Sequence, residues 1–548
     1  MTTTSLSRAA LAAISLLAVT VARADAQTSR ATARGSTPTL ILTGGKVFTA
    51  DSTHPWAEAL AIRGERIVAV GTTADVRRLA GRATREIALG GRVVIPGIND
   101  AHDHVGDVAT EGQLRTGPSP TPDPTLADVL DSVRAIAART PAGTWITGPI
   151  GLRVLDDTAA GRAALDRAAP AHPVFLSAWW GHGALVNSAA LRTLGIADDA
   201  ADPLGGWYER DARGRLTGRL DEYARWGPER RVFSMRPERA IVAALRAFAD
   251  SSLRMGVTTV QNMSGDLEPA LTVRAFRDAR LPIRVRLIRW SVPNRAGRNE
   301  GEWNAVAARP APRVVVSGRK WVVDGTPIER NALRRAAYSG SPEGRHGRLN
   351  FPADTIRAIL AAALRPGAVQ PHLHVVGDST AALVLSWMEA LAPDSVWRPR
   401  RVRFEHAPGL ADPSLLERAH RLGIVIAQPR AGTPLRTWLA AGIPLAYGSD
   451  MLRNPFYNMM AAVAPRDSAQ AITREQAVTI YTRGSAYAEF AEREKGTLAP
   501  GMLADLAVLS QDIFTVPAAA LPGTTSVLTV VGGRIVRDVL TSPAASAR

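Results

Sequence analysis

The stretch Arg92-Val-Val-Ile-Pro-Gly-Ile-Asn-Asp-Ala-His-Asp-His104 decides how the rest of this chain is read. It is an apolar run that closes on a His-x-His pair. Residues two apart on a strand point to the same side, so His102 and His104 can present both imidazoles to one ion. A polar loop after a strand would give the same short motif, and the remainder of the sequence has to separate the two readings.

Working outward, apolar strand-like runs recur, most of them followed by helix-like segments: Val93–Ile98, Val257–Gln261, Ile283–Ile288, Val314–Val323, Pro371–Val376, Val402–Glu405, Gly423–Gln428 and Ile443–Tyr447. Eight strands alternating with helices predict an α/β fold, a closed (β/α)8 TIM-like barrel whose site is built where the strands end. The two ends of the chain read differently, as short strands punctuated by Gly44-Gly45, Arg63-Gly64 and Gly90-Gly91 and, near the C-terminus, by Gly532-Gly533. Each end alone offers too little core, so residues 39–95 and 490–540 are expected to form one small β-sandwich domain around a barrel of residues 96–489. At 548 residues the chain exceeds the about 250 to 300 residues that one core serves, which agrees with that division.

Between the first and second barrel runs lies a long insertion, about 106–255, which begins with the Pro-rich Gly117–Pro124. Its aromatic residues Trp179, Trp180, Trp207 and Tyr208 are expected to supply a substrate wall at the barrel mouth, the alternative being the insertion's own small core.

Residues 1–26 carry one early cation, Arg8, an apolar run Ala9–Ala22 and then Ala24-Asp25-Ala26. This pattern predicts a signal peptide, followed by a flexible linker at 27–38, and hence an exported, periplasmic or secreted protein without a stable membrane anchor. No cysteine occurs, which excludes disulfides, thiolate ligands and a thiol nucleophile and leaves any metal to N and O donors. The net charge of +16 is spread through periodic segments without a compact basic block, so nucleic acid is not an expected partner. Among 66 basic residues, lysine occurs only at Lys46, Lys320 and Lys495. Lys46 and Lys495 sit in turn-like polar contexts, but Lys320 lies in the apolar run Arg313–Asp324, where an unpaired ammonium is costly.

Polar residues able to bind metal fall at or near the ends of particular runs: His102 and His104 after the first, Lys320 on the fourth, His374 on the fifth, His406 ending the sixth and Asp450 after the eighth. A barrel makes them converge. Pro96-Gly-Ile-Asn-Asp-Ala-His-Asp-His104, Lys320-Trp-Val-Val-Asp-Gly325, His374-Val-Val-Gly-Asp378, Arg403-Phe-Glu-His-Ala407, Gly448-Ser-Asp450 and Gly496-Thr-Leu-Ala-Pro-Gly-Met-Leu-Ala-Asp-Leu506 resemble the amidohydrolase superfamily. Gly181-His-Gly-Ala-Leu-Val-Asn-Ser188 resembles more narrowly amidohydrolase family 3, the YtcJ-like and N-substituted formamide deformylase group.

The resemblance implies one or two divalent ions, usually Zn2+, bridged by an N-carboxylated Lys320. His102 and His104 would hold the more buried ion and His374 and His406 the second, with Asp450 as both ligand and proton shuttle. The lysine has its own chemical logic, since only a primary amine forms a carbamate with two bridging oxygens and a guanidinium cannot. His372 departs from the usual apolar residue and, on the same strand face as His374, is a competitor for the second ion. The expected reaction is hydrolysis of an amide or related C–N bond of a small apolar or aromatic substrate by metal-activated water. His182 is expected to bond the developing oxyanion, or else to be a helix-start histidine of the insertion. Deamination, lactone or ester hydrolysis on the same centre, and a non-catalytic exported binding or regulatory protein, are the competing expectations. A small molecule is the expected partner and a homodimer the expected assembly.

Overall fold

A computed structural model describes residues 37–541 apart from 107–111, 115–122, 180, 291, 293–299, 340–343 and 428–431. The segment read as a signal peptide, most of the stretch read as a linker and of the Pro-rich stretch, and Trp180 therefore lie outside the described residues.

Eight parallel strands form the central sheet: β1 (Ile98–Asp103), β2 (Val257–Ser264), β3 (Arg284–Trp290), β4 (Val314–Val322), β5 (Pro371–Val375), β6 (Arg403–His406), β7 (Val425–Ala427) and β8 (Leu445–Ala446), each paired to the next in chain order. The two edges meet, because the Ala101 N–H reaches the Tyr447 carbonyl at 2.8 Å and the Asp450 N–H the His102 carbonyl at 2.8 Å. Helices pack outside through apolar stripes. On Glu238–Arg254 the buried Ile241, Leu245, Ala249 and Leu253 recur every fourth residue, the spacing that puts them on one face.

The first strand begins later than the apolar run predicts. Val93–Pro96 pairs with Leu506–Leu509 and Lys46–Phe48 in a six-stranded sheet, and the barrel starts only at Ile98. Pro96 has no N–H to donate, and a Cβ at Gly97 would come within 2.2 Å of the Thr258 hydroxyl, so the chain changes sheet at the one dipeptide that permits the close crossing.

The six-stranded sheet takes strands from both ends of the chain, and a four-stranded sheet of Leu40–Thr43, Ala59–Arg63, Arg66–Gly71 and Arg85–Ala88 faces it across a core that includes Leu42, Ile62, Val94, Leu506 and Leu528. The long insertion builds a five-stranded sheet, ordered Gly206–Arg210, Leu216–Glu222, Gly183–Val186, Val174–Ala178 and Ile146–Ile150, with buried clusters of its own around Val133 and Leu176 and around Phe175 and Leu220. No helix among the described residues is long and apolar enough to cross a membrane.

Candidate metal centre

The C-terminal ends of β1, β4, β5, β6 and β8 open on a cavity of about 370 Å3 whose wall includes His104, Lys320, His374, His406, Asp450 and His182. His102 lies beneath it, fully buried. Asp450 Oδ1 stands 3.7 Å from His102 Nε2 and 3.5 Å from His104 Nε2, and one donor atom from each of these three residues fits within 4.8 Å. The rings of His374 and His406 lie 4.8 Å apart, centroid to centroid, with His406 5.1 Å from His102. Lys320 Nζ comes to 3.4 Å from His102 Nε2 and sits 4.5 Å over the Trp290 ring. The structure thus brings all six sequence-selected positions to one end of one cavity.

Two backbone irregularities aim these groups. In a straight strand Arg403 and Glu405 share the inward face and the next residue points away. His406 escapes that alternation because it and Ala407 take φ of 72° and 49°. Asp450 and Met451 do the same after β8, at φ 42° and 77°. Left-handed backbone at non-glycine residues is costly and persists where its surroundings over-determine it. Here Ser449 N–H donates to Asp100 at 2.9 Å, Met451 N–H to Asp103 at 3.2 Å, and Gly448 packs so close that a Cβ would sit 2.5 Å from the His102 nitrogen.

The second nitrogen of each imidazole decides what faces the cavity. His374 Nδ1 lies 2.9 Å from the Asp324 carbonyl, an acceptor, so it carries the proton and leaves Nε2 as a lone pair. Asp324 is held in turn by the N–H groups of Val376 and Gly377 and by the Thr380 hydroxyl. Burial, with the Lys320 charge beside them, moves His102 and His104 below the ordinary imidazole value. Burial, with His182 and His406, does the same for His374. Neutral imidazole is the form that ligates.

Burial also brings Lys320 down to about 8, and among the described residues no carboxylate forms an ion pair with it. A buried amine with an imidazole nitrogen at 3.4 Å and the charges of Glu405 and Asp450 near it but not paired to it, in a cavity that also takes His104, His374 and His406, suits a site for a divalent cation held by N and O donors better than a structural ion pair.

His182 joins this wall from the insertion. Its ring lies 4.6 Å from that of His374 and its Nδ1 3.0 Å from Glu222, while Glu329 accepts its backbone N–H at 2.5 Å. Burial lowers His182 to about 3 and, together with the Glu329 charge, holds Glu222 well above the carboxylate range.

Of the four aromatic residues singled out in the insertion, the three that are described divide. Trp179 lines the cavity, Trp207 lies under Arg348 in a separate cleft of about 610 Å3, and Tyr208 packs with the insertion's own core. The aromatic wall comes instead from Trp226 and Trp290, 5.0 Å apart, with Phe175 and Phe233. Phe175 and Trp290 sit inside strand-like runs, where nothing in their spacing separates a cavity wall from a core. His372 is not part of the centre, since its Nδ1 faces Glu405 at 3.0 Å and its Nε2 packs against Gly318. Sequence reasoning also passed over Glu405, Asp324 and Glu222. The first two lay within quoted motifs, but the histidines they bond are 33 and 303 positions away from Glu405 and 50 from Asp324.

With this geometry fixed, the comparisons with known proteins agree in kind. The model of the amidohydrolase family matches residues 85–537. The chain belongs to that family. It is accordingly a metal-dependent hydrolase. The putative amidohydrolase YtcJ of Bacillus subtilis is 26% identical over 90% of this chain and 98% of its own length. N-substituted formamide deformylase of Arthrobacter pascens is 26% identical over 86% of this chain and 93% of its own. In three dimensions the chain resembles an uncharacterized metal-dependent hydrolase of Pyrococcus furiosus, with a TM-score of 0.63 at 24% identity over 86% of this chain and 99% of that one.

Proposed function

We propose that this amidohydrolase cleaves an amide or related C–N bond of a small apolar or aromatic molecule. His102, His104, Lys320, His374, His406 and Asp450 would hold one or two divalent ions, Zn2+ first, with Lys320 N-carboxylated as the bridge. The observation that carries this reading is the Asp450 carboxylate at 3.5 and 3.7 Å from two imidazole nitrogens, beside a buried lysine 3.4 Å from one of them that pairs with no carboxylate among the described residues. A divalent ion there supplies Lewis-acid activation of water and of a substrate carbonyl.

The chain's own residues do the rest. Asp450 Oδ1, near the cavity surface, takes a proton and returns it to the leaving nitrogen, which an amine needs in order to depart. His182 stands opposite, beside His374, where a substrate oxygen would gain charge. Trp179, Trp226 and Trp290 give the acyl or N-substituent an apolar wall that excludes water.

The formamide-cleaving relative makes aryl formamides the first substrates to try. Metal analysis joined to turnover of aryl formamides, N-acyl amino acids, an amino-heterocycle and lactones tests the reading. Bound divalent metal with amide or formamide cleavage is expected. Turnover of lactones or of the heterocycle alone would replace the C–N reading by ester hydrolysis or deamination, and a metal-loaded protein that turns over nothing would favour a binding protein. Export is part of the same proposal, supported by the apolar run before Ala24-Asp25-Ala26, and secreted product that retains Met1 would overturn it.

A further inference from the structure

Glu405 is fully buried, and its two oxygens serve two different histidines. Oε2 lies 2.7 Å from Nδ1 of His102 and Oε1 lies 3.0 Å from Nδ1 of His372. Arg403, on the same face of β6, donates from Nη2 to Oε2 at 3.0 Å and brings Nε to 2.9 Å from Oε1. The same guanidinium donates to the Ala101 carbonyl at 2.8 Å and to Gln261 at 2.7 Å, so it is fixed from the β1 and β2 sides of the barrel. A carboxylate paired to a guanidinium in this way is ionised and only accepts, so both imidazoles donate from Nδ1.

The two histidines then differ in what their other nitrogen meets. At His102 the shared tautomer turns the Nε2 lone pair toward Lys320 and Asp450, at 3.4 and 3.7 Å. At His372 the same tautomer leaves Nε2 against the Gly318 backbone, outside the cavity wall and without a protein partner. The pair is asymmetric: one imidazole faces the centre, and the other can act only on the carboxylate.

We propose that Glu405 is the positioning residue of the metal centre, fixing the tautomer and ring plane of His102, and that His372 is the counter-donor that keeps the carboxylate from turning away. The inference rests on the metal-centre reading above. Carboxylate partners of this kind hold a ligating ring in place and raise its basicity, and their loss typically weakens metal binding about 10- to 100-fold.

The test titrates Zn2+ against a competing chelator and records the absorption spectrum of the Co2+-loaded protein, using the full mature chain. Glu405→Gln is expected to keep the wild-type circular dichroism, to bind Zn2+ about 10- to 100-fold more weakly and to shift the Co2+ bands. Glu405→Asp keeps the charge opposite Arg403 but shortens its reach, so it should weaken binding by a smaller factor even if the glutamine variant fails to fold. His372→Asn offers an amide N–H where Nδ1 stood and should bind metal as the wild type does.

Wild-type affinity and spectrum in both Glu405 variants would overturn the inference. So would a His372→Asn variant as weak as Glu405→Gln, since the network would then act as a structural whole. A wild-type protein that takes up no divalent ion would instead sink the metal-centre reading itself, a different result from normal binding by the variants.

Discussion

Two buried lysines, Lys320 and Lys495, meet opposite surroundings in one barrel. Lys495 is 9% exposed and Lys320 2%, so burial does not distinguish them. Lys495 Nζ stands 2.8 Å from Glu489, which Asn99 also bonds at 2.6 Å, in a floor where Gln261, Arg286, Gln370 and Arg403 close one another's hydrogen bonds. Lys320 at the mouth has the lone pair of His102 and the face of Trp290. In the floor Lys495 and Arg403 each meet a carboxylate and Arg286 donates to the side chains of Ser317, Gln261 and Gln370, and the result is a rigid plug. At the mouth the Nδ1 atoms of His102 and His374 are taken by acceptors behind them, and the nitrogens that remain converge with Asp450 on one cavity, which is the arrangement that accepts an ion from outside.

The largest effect that would break this comparison is expected at Lys320. Lys320→Arg should fold, lose most of its metal and be almost inactive, because a guanidinium stays protonated and repels the cations an amine-derived carbamate would bind. Lys495→Arg should leave turnover near wild type. Full metal content and normal kcat in the Lys320 variant would remove the bridge and leave a centre of histidines and Asp450.

Next comes Asp450→Asn, expected to cost about 10²- to 10⁴-fold in kcat, the range for a lost general acid–base, while the ion held by His102 and His104 stays. A near-normal kcat would take Asp450 out of the proton path. A smaller effect is expected at the cavity wall. Trp179→Ala should lower kcat/KM for aromatic amides by about 1 to 3 kcal/mol of lost burial. Trp207→Ala should change stability and leave substrate ranking alone, since its ring lies under Arg348 in the other cleft. Equal effects from the two would mean that the insertion reaches the substrate differently from its placement here.

Much of this was legible in the sequence, and the parts that were not share a cause. Eight apolar runs, six donor positions at their ends and a lysine in an apolar strand are local patterns, and a barrel turns local patterns into one site. The first run was misplaced by one strand because Val93–Ile98 reads as continuous, while the change of sheet at Pro96-Gly97 depends on Thr258 packing against it. Lys495 read as a turn residue, since its partner Glu489 sits among residues that only the closed barrel surrounds. His372 looked like a ligand by its alternation with His374. Its role depends on which way Glu405 faces, and that is set by Arg403, Ala101 and Gln261 from separate strands. Of the aromatic residues in the insertion, composition could mark the cluster but not which ring faces the cavity.

The effect expected to be smallest on turnover is the one that sharpens the comparison most. Lys495→Met should leave kcat unchanged and destabilise the protein by roughly 3 kcal/mol at neutral pH, the lower end for breaking a buried pair, because Asn99 and Arg286 still attend Glu489. Burial by itself would raise the Glu489 carboxyl, but Lys495, Arg286 and Asn99 outweigh it and hold the group below its ordinary value. A carboxylate depressed in the folded state contributes stability that is present above its unfolded pKa and is lost as pH falls through the folded one. Without Lys495 that contribution shrinks, so the gap in Tm between wild type and variant should be widest near neutrality. It should narrow as pH is lowered below the ordinary carboxylate range, where Glu489 is protonated in both proteins. A gap that stays constant with pH would mean that Lys495 acts by packing its methylenes and not by its charge. The contrast between an answered lysine in the floor and an unanswered one at the mouth would then rest on Lys320 alone.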